Sequence, residues 1–208
     1  MAARRAGEGE RELRAKKWGG WRPTHMIGAK VTGKTLGIIG FGRIGQAMAS
    51  RGHFGFGMKI KIFSRSQVSA ELLERYNAEQ FNSVETLLRK SDFVSLHCPG
   101  GTSNRHLINA SNLAQARPEL VLINTARGEV IDEVALANAL ENKTIKAAGL
   151  DVFDGEPNIN PNLMTAPNLV MLPHLGSATR ETREEMGFRA LANCRAFFEG
   201  ETPMDKVA

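Results

Sequence analysis

The sequence lacks any long uninterrupted hydrophobic stretch, and it is poor in cysteine. No run approaches the roughly 18 apolar residues that a membrane-spanning helix needs, so we expect no membrane span. The first residues also lack the apolar segment of a secretory signal peptide. Cys98 and Cys194 are the two cysteines, and they offer neither a metal-ligand spacing nor a disulfide framework. We therefore expect a cytoplasmic protein that binds no metal.

A concentrated block of positive charge is also missing. The formal net charge is +5, but the Lys and Arg residues are spread along the 208 residues. Only residues 1–22 are locally dense in positive charge, and Glu8, Glu10 and Glu12 interleave with it there. This pattern favours a solvent-exposed helix over a nucleic-acid-binding patch. We expect no nucleic-acid partner.

Segments typical of strands alternate with segments typical of helices along the chain. The predicted strands are residues 36–39, 59–63, 92–97, 120–124, 147–151 and 169–172. The predicted helices are residues 2–17, 46–51, 69–76, 83–90, 111–117, 131–143 and 178–198, with a polar tail at 200–208. The alternation predicts an α/β fold, a doubly wound parallel (Rossmann) sheet with helices on both faces. Ligands of such sheets bind beyond the carboxyl ends of the strands.

Three glycines follow the first predicted strand at the spacing G-x-G-x-x-G. Gly40 allows a tight turn, Gly42 lets the backbone approach a pyrophosphate, and Gly45 lets the helix pack on the strand. The bare motif also arises by chance in a chain with 21 glycines. Its position between a strand and a helix is what indicates dinucleotide binding, because the helix N-terminus offers N–H groups to the anion.

The residues after the second predicted strand bear on the choice of coenzyme. NAD-binding domains usually place an acidic residue here to bind the ribose hydroxyls. This sequence has Ser64, Arg65 and Ser66 instead. Serine has no charge to repel a phosphate, and arginine can pair with one through two parallel hydrogen bonds. The alternative interpretation is a surface arginine after a strand. We expect NADP in preference to NAD.

Three further strand ends carry groups suited to catalysis. Arg127 follows a buried strand and precedes a glycine, where it could grip a carboxylate. Glu156 lies in a carboxylate-rich segment, and His174 stands at the head of the final helix. Each has an ordinary alternative, as a structural arginine, a capping acid or a core histidine. Their combination at one sheet edge with a nucleotide motif predicts a catalytic site.

Four segments together carry a resemblance to a known family. Residues 40–45, 124–129, 149–157 and 172–177 resemble the motifs of the D-isomer-specific 2-hydroxyacid dehydrogenases. Within that family the sequence is most similar to the glyoxylate/hydroxypyruvate reductase branch, and the resemblance covers essentially the whole chain in order. It implies reduction of a small 2-keto acid to the D-2-hydroxy acid.

The resemblance implies a role for each site residue. His174 would be the acid that protonates the carbonyl oxygen, and Glu156 would favour its imidazolium form. Arg127 would orient the 2-keto acid and polarise its carbonyl. The residues that the motif, the strand end and the resemblance assign to coenzyme binding are Gly40, Gly42, Arg43, Ile44, Gly45, Ser64, Arg65, Ser66, His97, Cys98, Pro99, Thr125, Ala126, Asp151 and Gly176.

The resemblance also implies a division of the chain. Residues 1–22 would be a helical dimer arm, residues 23–193 the dinucleotide-binding domain, and residues 194–208 a helix end and tail left from the substrate domain. The family's N-terminal substrate domain is absent from this sequence. Trp18 and Trp21, after the arm helix, are expected to pack against another surface. We expect a homodimer.

Two functions of different classes follow from these observations. The first is an NADPH-dependent 2-keto acid reductase, or the coenzyme domain of one. The second is a non-enzymatic dinucleotide-binding dimer, such as a sensor or partner-binding module. Arg127, Glu156 and His174 together favour the enzyme, because a binding module has no need of them. The absent substrate domain favours the binding module.

Overall fold

The computed structural model describes residues 1–206, which form two compact units, Met1–Pro173 and a second that begins at His174. The strands, all in the first unit, are β1 (Thr35–Ile39), β2 (Lys59–Phe63), β3 (Glu79–Phe81), β4 (Phe93–Leu96), β5 (Val121–Asn124), β6 (Ala147–Leu150) and β7 (Leu169–Met171). Its α-helices are α1 (Ala6–Arg14), α2 (Arg43–Ser50), α3 (Ala70–Arg75), α4 (Val84–Arg89), α5 (Ala110–Leu113), α6 (Glu133–Glu141) and α7 (Pro161–Thr165).

The strands form one parallel sheet in the order β3-β2-β1-β4-β5-β6-β7. Every neighbouring pair runs in the same direction. The chain first moves outward from β1 to β3, and then crosses back to β4 and proceeds to β7 on the other side. The predicted doubly wound parallel sheet is confirmed, and β1 and β4 flank the point where the strand order reverses, which is where such sheets bind ligands.

The register of the strands brings their carboxyl ends to a common edge. Ile39 of β1 is level with Phe63 of β2 and with Leu96 of β4. Leu96 is level with Asn124 of β5, which is level with Leu150 of β6. The loops that follow these strands therefore start side by side along one edge of the sheet.

Two hydrophobic clusters hold the helices of the first unit on the two faces of the sheet. Leu36 and Ile38 of β1 belong to one cluster, and their neighbour Ile39 belongs to the other. The same alternation separates Val121 from Leu122 in β5. Because successive strand residues point to opposite faces, both faces of the sheet are covered.

The arm helix predicted over residues 2–17 is interrupted. Arg5 adopts a left-handed conformation with φ of 53°, which separates a 3₁₀ turn, Ala2–Arg4, from α1. Arg5 forms an ion pair with Glu8 in the first turn of α1. Trp18 and Trp21 are 51% and 82% exposed, so the surface predicted to pack against them is not found within residues 1–206.

The helix predicted over residues 111–117 is wrong in its second half. A capping box formed by Asn109 and Asn112 starts α5 at Ala110, and the helix ends at Leu113. Pro118 disfavours the helical conformation at Arg117, because its ring clashes with the preceding residue. Two short elements, β3 and α7, were not predicted at all.

The second unit contains α8 (Arg180–Phe198). Thr179 caps this helix by accepting a hydrogen bond from the N–H of Thr182. Arg189 pairs with Asp205 at 2.6 Å in the same unit. The predicted tail includes Val207 and Ala208, which lie outside the described residues. No helix within residues 1–206 combines the length and apolarity needed to cross a membrane.

Candidate functional site

The turn between β1 and α2 has the tight backbone packing that its glycine motif predicts. Gly40 has φ of 89°, and a Cβ atom there would lie 2.7 Å from backbone atoms of His97 and Cys98. A Cβ atom at Gly45 would lie 2.2 Å from the Gly40 carbonyl oxygen. Both positions therefore require glycine. The consequence is that β1, β4 and the start of α2 meet at one point.

Gly42 occupies a different environment, because it borders open space. It is the residue before α2, its φ is −76°, and a Cβ atom there would meet no atom within 4 Å. No side chain caps the N-terminus of α2, and Arg43 and Ile44 are exposed in its first turn. N–H groups at a helix N-terminus attract anions. The residues present therefore fit a pyrophosphate group placed against this turn.

The same turn forms one wall of a cleft of about 220 Å³. The other walls are the segment after β2 and the segment after β4. The predicted coenzyme residues that line this cleft are Gly40, Gly42, Ser64, Arg65, Ser66, His97, Cys98 and Pro99. The structure thus brings together three segments that are far apart in the sequence, at the edge where the strand order reverses.

Arg65 is exposed at this cleft. Its Nη1 donates a hydrogen bond to Ser103 Oγ at 3.2 Å, in the 3₁₀ turn Thr102–Asn104 that follows β4. The guanidinium group thereby spans from the segment after β2 toward the segment after β4. Its remaining N–H donors suit a phosphate, which accepts hydrogen bonds on several oxygens.

His97 and Cys98 are uncharged groups of the cleft. Burial lowers the pKa of the His97 imidazole, and burial raises the pKa of the Cys98 thiol. His97 Nε2 lies 2.9 Å from Oγ of the buried Ser95, which fixes the plane of the ring. Because burial disfavours the charged form of both groups, this side of the cleft is neutral near pH 7.

Gln80 of β3 lies outside the cleft, supports one of its walls, and is not predicted from the sequence. Its Nε2 donates to the carbonyl oxygens of Ser64 at 3.3 Å and Ser66 at 3.0 Å. Its Oε1 accepts from the N–H of Val68 at 2.9 Å. One side chain therefore binds three backbone groups of the segment after β2. No sequence signal identifies it, since a glutamine in a three-residue edge strand belongs to no motif.

The segment after β5 is held by the buried side chain of Asn124. Its Oδ1 accepts from the N–H of Ala126 at 3.0 Å, and its Nδ2 donates to the carbonyl oxygen of Arg127 at 2.9 Å. The exposed Arg127 side chain donates from Nη1 to the Ala126 carbonyl oxygen at 2.7 Å. A Cβ atom at Gly128 would lie 1.9 Å from the backbone of Phe153. The segment that carries Arg127 therefore packs directly on the segment after β6.

Glu156 lies in that segment after β6. Its side chain is exposed to solvent, and its Oε1 accepts from the N–H of Phe153 at 2.9 Å, which fixes the carboxylate relative to the backbone. Because Gly128 and Phe153 are in contact, the segments of Arg127 and Glu156 adjoin. Thr125 and the buried Asp151 line a cavity of about 230 Å³ at the ends of β5 and β6.

His174 and Gly176 belong to the second compact unit. His174 follows β7 closely in the sequence, is exposed, and has φ of 53°. The assembly of His174 with Arg127 and Glu156 stays a prediction, as do the roles of all these residues. Within residues 1–206, no group of three or more His, Cys, Asp or Glu side chains is arranged to hold a metal ion.

Comparisons with known proteins agree with this geometry. The family model described as "D-isomer specific 2-hydroxyacid dehydrogenase, NAD binding domain" matches residues 1–176. A glyoxylate reductase from Thermococcus litoralis is 46% identical over 99% of this chain, and a glycerate dehydrogenase from Hyphomicrobium methylovorum is 41% identical over 96%. The chain spans 62% of the length of each of these two curated relatives.

A solved structure shares the fold as well. The crystal structure of a glyoxylate reductase from Paecilomyes thermophila superposes with a TM-score of 0.87 and 39% sequence identity. The match covers 97% of this chain and 60% of that chain.

Proposed function

Because the chain belongs to the D-isomer specific 2-hydroxyacid dehydrogenase family, we propose that it provides the coenzyme-binding domain of a reductase for small 2-keto acids. The observation that carries the proposal is the cleft at the reversal of the strand order. There the uncapped N-terminus of α2 and the open space beside Gly42 fit the pyrophosphate of a nicotinamide dinucleotide.

The catalytic roles follow from the chemistry of carbonyl reduction. A bound reduced coenzyme would supply the hydride that the keto carbon gains. In this proposal His174 is the donor of the proton that the carbonyl oxygen must gain, and Glu156 is assigned the role of favouring an imidazolium. Arg127 binds the 2-keto acid and stabilises the negative charge that develops on its oxygen. The bonds from Asn124 that shape the Arg127 segment support this role, because they fix the backbone on both sides of Ala126.

The substrate is proposed from the relatives and from the predicted trio. Relatives named glyoxylate reductase and glycerate dehydrogenase indicate a small 2-keto acid or its 2-hydroxy acid product. Glyoxylate and hydroxypyruvate are therefore the first substrates to test. A cationic guanidinium at Arg127 suits the carboxylate that such acids share.

NADP is the coenzyme proposed for this chain. The segment after β2 presents Arg65 between two serines, with no acidic side chain to repel a 2′-phosphate. The guanidinium group stands at the mouth of the cleft, where its hydrogen bond to Ser103 holds it. A charge-assisted pair with a phosphate would favour NADPH over NADH.

The proposed assembly is a homodimer through residues 1–22, with residues 23–193 as the dinucleotide-binding domain and 194–208 as an appended helix end and tail. The exposed side chains of Leu13, Trp18 and Trp21 support this role for the arm, because large apolar side chains in one segment suit a protein interface.

The test measures coenzyme binding and turnover separately on the 208-residue chain. We expect NADPH binding by titration, and oxidation of NADPH when glyoxylate or hydroxypyruvate is added. His174→Ala should retain coenzyme binding and, in any form of the protein that turns over, lower turnover by about 100-fold or more, because it removes the proton donor. A folded chain that binds neither NADPH nor NADH contradicts the proposal.

The same test bears on the non-enzymatic alternative. Turnover would exclude that alternative, whereas coenzyme binding without turnover is the behaviour both of a coenzyme-binding domain separated from its substrate domain and of a dinucleotide-binding module. Turnover that His174→Ala leaves unchanged would contradict the catalytic role of that residue and leave coenzyme binding standing.

A further inference from the structure

We propose that Gln80 is a positioning residue that sets the preference for NADPH over NADH. The proposal rests on the coenzyme site proposed above. Gln80 is not in the Gly-rich motif and does not line the cleft. It acts through the segment 64–68, whose Arg65 is the candidate partner of the 2′-phosphate.

The hydrogen-bonding capacity of the Gln80 carboxamide is matched to this segment. The two N–H donors of Nε2 point to the carbonyl oxygens of Ser64 and Ser66, and Oε1 accepts from the N–H of Val68. Those three groups lie on both sides of Arg65. The bonds to Ser64 and Val68 are part-buried, where backbone groups need such partners, and the bond to Ser66 is exposed.

The anchor of this side chain is the sheet itself. Gln80 is level with Ile62 in the parallel pair of β2 and β3, and Ile62 is fully buried. Lys61 and Glu79 form an ion pair at 3.0 Å across the same two strands. The carboxamide is therefore held by a regular element, whereas the segment it binds is an irregular loop.

The fixed backbone of this segment affects how Arg65 binds a phosphate. An arginine side chain loses considerable rotamer freedom when it binds, and a fixed backbone limits that loss. With the carbonyl groups of Ser64 and Ser66 held, the side chain of Arg65 leaves the loop in one direction, toward Ser103. NADPH has a phosphate for this guanidinium, and NADH has a hydroxyl in its place. A more mobile loop should therefore weaken the binding of NADPH more than the binding of NADH.

Two substitutions separate the chemistry of the carboxamide from its size. Gln80→Met has a similar length and removes all three hydrogen bonds. Gln80→Glu keeps the oxygen that accepts from Val68. It replaces the N–H donors with a carboxylate oxygen, which is repelled by the carbonyl oxygens of Ser64 and Ser66. Glu79→Gln is the matched control, because it changes the neighbouring residue of β3 and loses the ion pair to Lys61.

The experiment is a titration of each chain with NADPH and with NADH, together with hydrogen exchange of the Val68 amide in the free protein. We expect Gln80→Met and Gln80→Glu to raise the dissociation constant for NADPH by about tenfold and that for NADH by less than about twofold. Exchange at Val68 should be faster in Gln80→Met than in Gln80→Glu, which keeps that bond. Glu79→Gln should retain the wild-type ratio of the two dissociation constants.

The outcomes distinguish this inference from the proposed function. If the wild-type chain prefers NADPH and both Gln80 variants keep its ratio, Gln80 has no positioning role and the coenzyme site stands. If the variants weaken both coenzymes equally, Gln80 is a stability residue only. If the wild-type chain binds both coenzymes equally, the preference for NADPH and the role of Gln80 fail together. A wild-type chain that binds neither contradicts the proposed function itself.

Discussion

Gly40 and Gly42 belong to one motif, yet the structure gives them different reasons to be glycine. At Gly40 the backbone conformation and the nearby backbone of His97 exclude a side chain. At Gly42 the conformation is open to any residue, and a Cβ atom would enter empty space. The first glycine therefore serves the fold, and the second serves the ligand that we place against α2.

This difference gives a prediction for Gly42→Ala. We expect its free energy of unfolding to stay within about 0.5 kcal/mol of the wild type, since a surface change without clash has little effect. Its dissociation constant for NADPH should rise by about tenfold, because the new methyl group occupies the space of the pyrophosphate. Urea unfolding and NADPH titration provide the two measurements.

Gly40→Ala is the matched comparison within the motif. We expect it to lose roughly 3 kcal/mol or more of stability, because it combines an unfavourable positive φ with contacts at 2.7 Å to backbone atoms. If Gly42→Ala binds NADPH as tightly as the wild type, the pyrophosphate does not lie at the start of α2.

Arg65 carries the prediction for coenzyme choice. Arg65→Gln removes the charge and the paired donors. We expect it to raise the dissociation constant for NADPH by roughly tenfold to a hundredfold and to leave that for NADH nearly unchanged. Ser103→Ala is the control, because it removes the protein partner of Arg65 and keeps the guanidinium. Titrations over a range of salt concentrations test the origin of the effect. A preference for NADPH that survives Arg65→Gln would place the 2′-phosphate elsewhere.

Long, regular segments were predictable from the sequence, and short ones were not. The predicted strand 59–63 coincides with β2, because polar and apolar residues alternate over residues 59–62 and the segment is rich in β-branched and aromatic side chains. β3 has three residues, too few to display a period. α7 has five residues and rests on local signals, with Asn160 as its cap and Pro161 in its first turn. Those signals also fit an ordinary turn.

Site residues that belong to a contiguous motif could be predicted from the sequence, and those that act on distant residues could not. The glycines of the β1–α2 turn form a contiguous motif, so their positions were predictable. Gln80 acts on Ser64 and Ser66 through space, and its partners are defined only once β3 pairs with β2. Asn124 could be predicted as the end of a strand, but its two bonds to the Arg127 segment depend on the turn itself. Residues that position others leave no pattern in a single sequence.

Helix α6 contains a buried carboxylate that gives a pH-dependent prediction. Glu133 is 6% exposed, and its Oε1 accepts from the N–H of Asp154 at 2.8 Å. Burial, assisted by the negative charge of Asp154, raises the pKa of Glu133 above its ordinary value. The folded state then holds this proton more tightly than the unfolded state. The contribution of Glu133 to stability therefore falls as the pH rises from its ordinary pKa through the raised value.

Glu133→Gln should remove this pH dependence. The glutamine Oε1 can still accept from Asp154, but it carries no charge to bury. We expect the variant to gain stability relative to the wild type as the pH rises through that window, with a constant difference above it. Urea unfolding at several pH values measures the effect. Glu141→Gln, at the exposed end of α6, is the control, because it makes the same substitution on the same helix at a solvent-exposed position. A pH-independent difference for Glu133→Gln would contradict the raised pKa.

The first compact unit combines a seven-stranded parallel sheet with an arm that is packed at Ala2 but exposes its large apolar side chains farther along. The sheet buries both faces, and its carboxyl edge carries the cleft. Leu13 and Trp21 of the arm are 58% and 82% exposed, and Ile27 just after it is 65% exposed. Exposed apolar side chains of this size are costly in water unless another surface covers them. A second copy of the chain is the partner that we propose.

The dimer gives a prediction for the mass in solution. We expect sedimentation equilibrium at micromolar concentration to give twice the 22.7 kDa mass of the chain. The double substitution Leu13→Ser and Trp21→Ser should give the single mass, because it removes two large apolar contacts and leaves the sheet untouched. Val134→Ser is the control, since Val134 is a partly exposed apolar residue on α6, away from the arm. A wild-type chain that sediments as a monomer, or a double variant that stays dimeric, would show that the arm does not form the interface.

Titration of the double variant with NADPH tests whether coenzyme binding depends on the dimer. A monomeric variant with wild-type affinity would mean that the cleft needs no second copy of the chain.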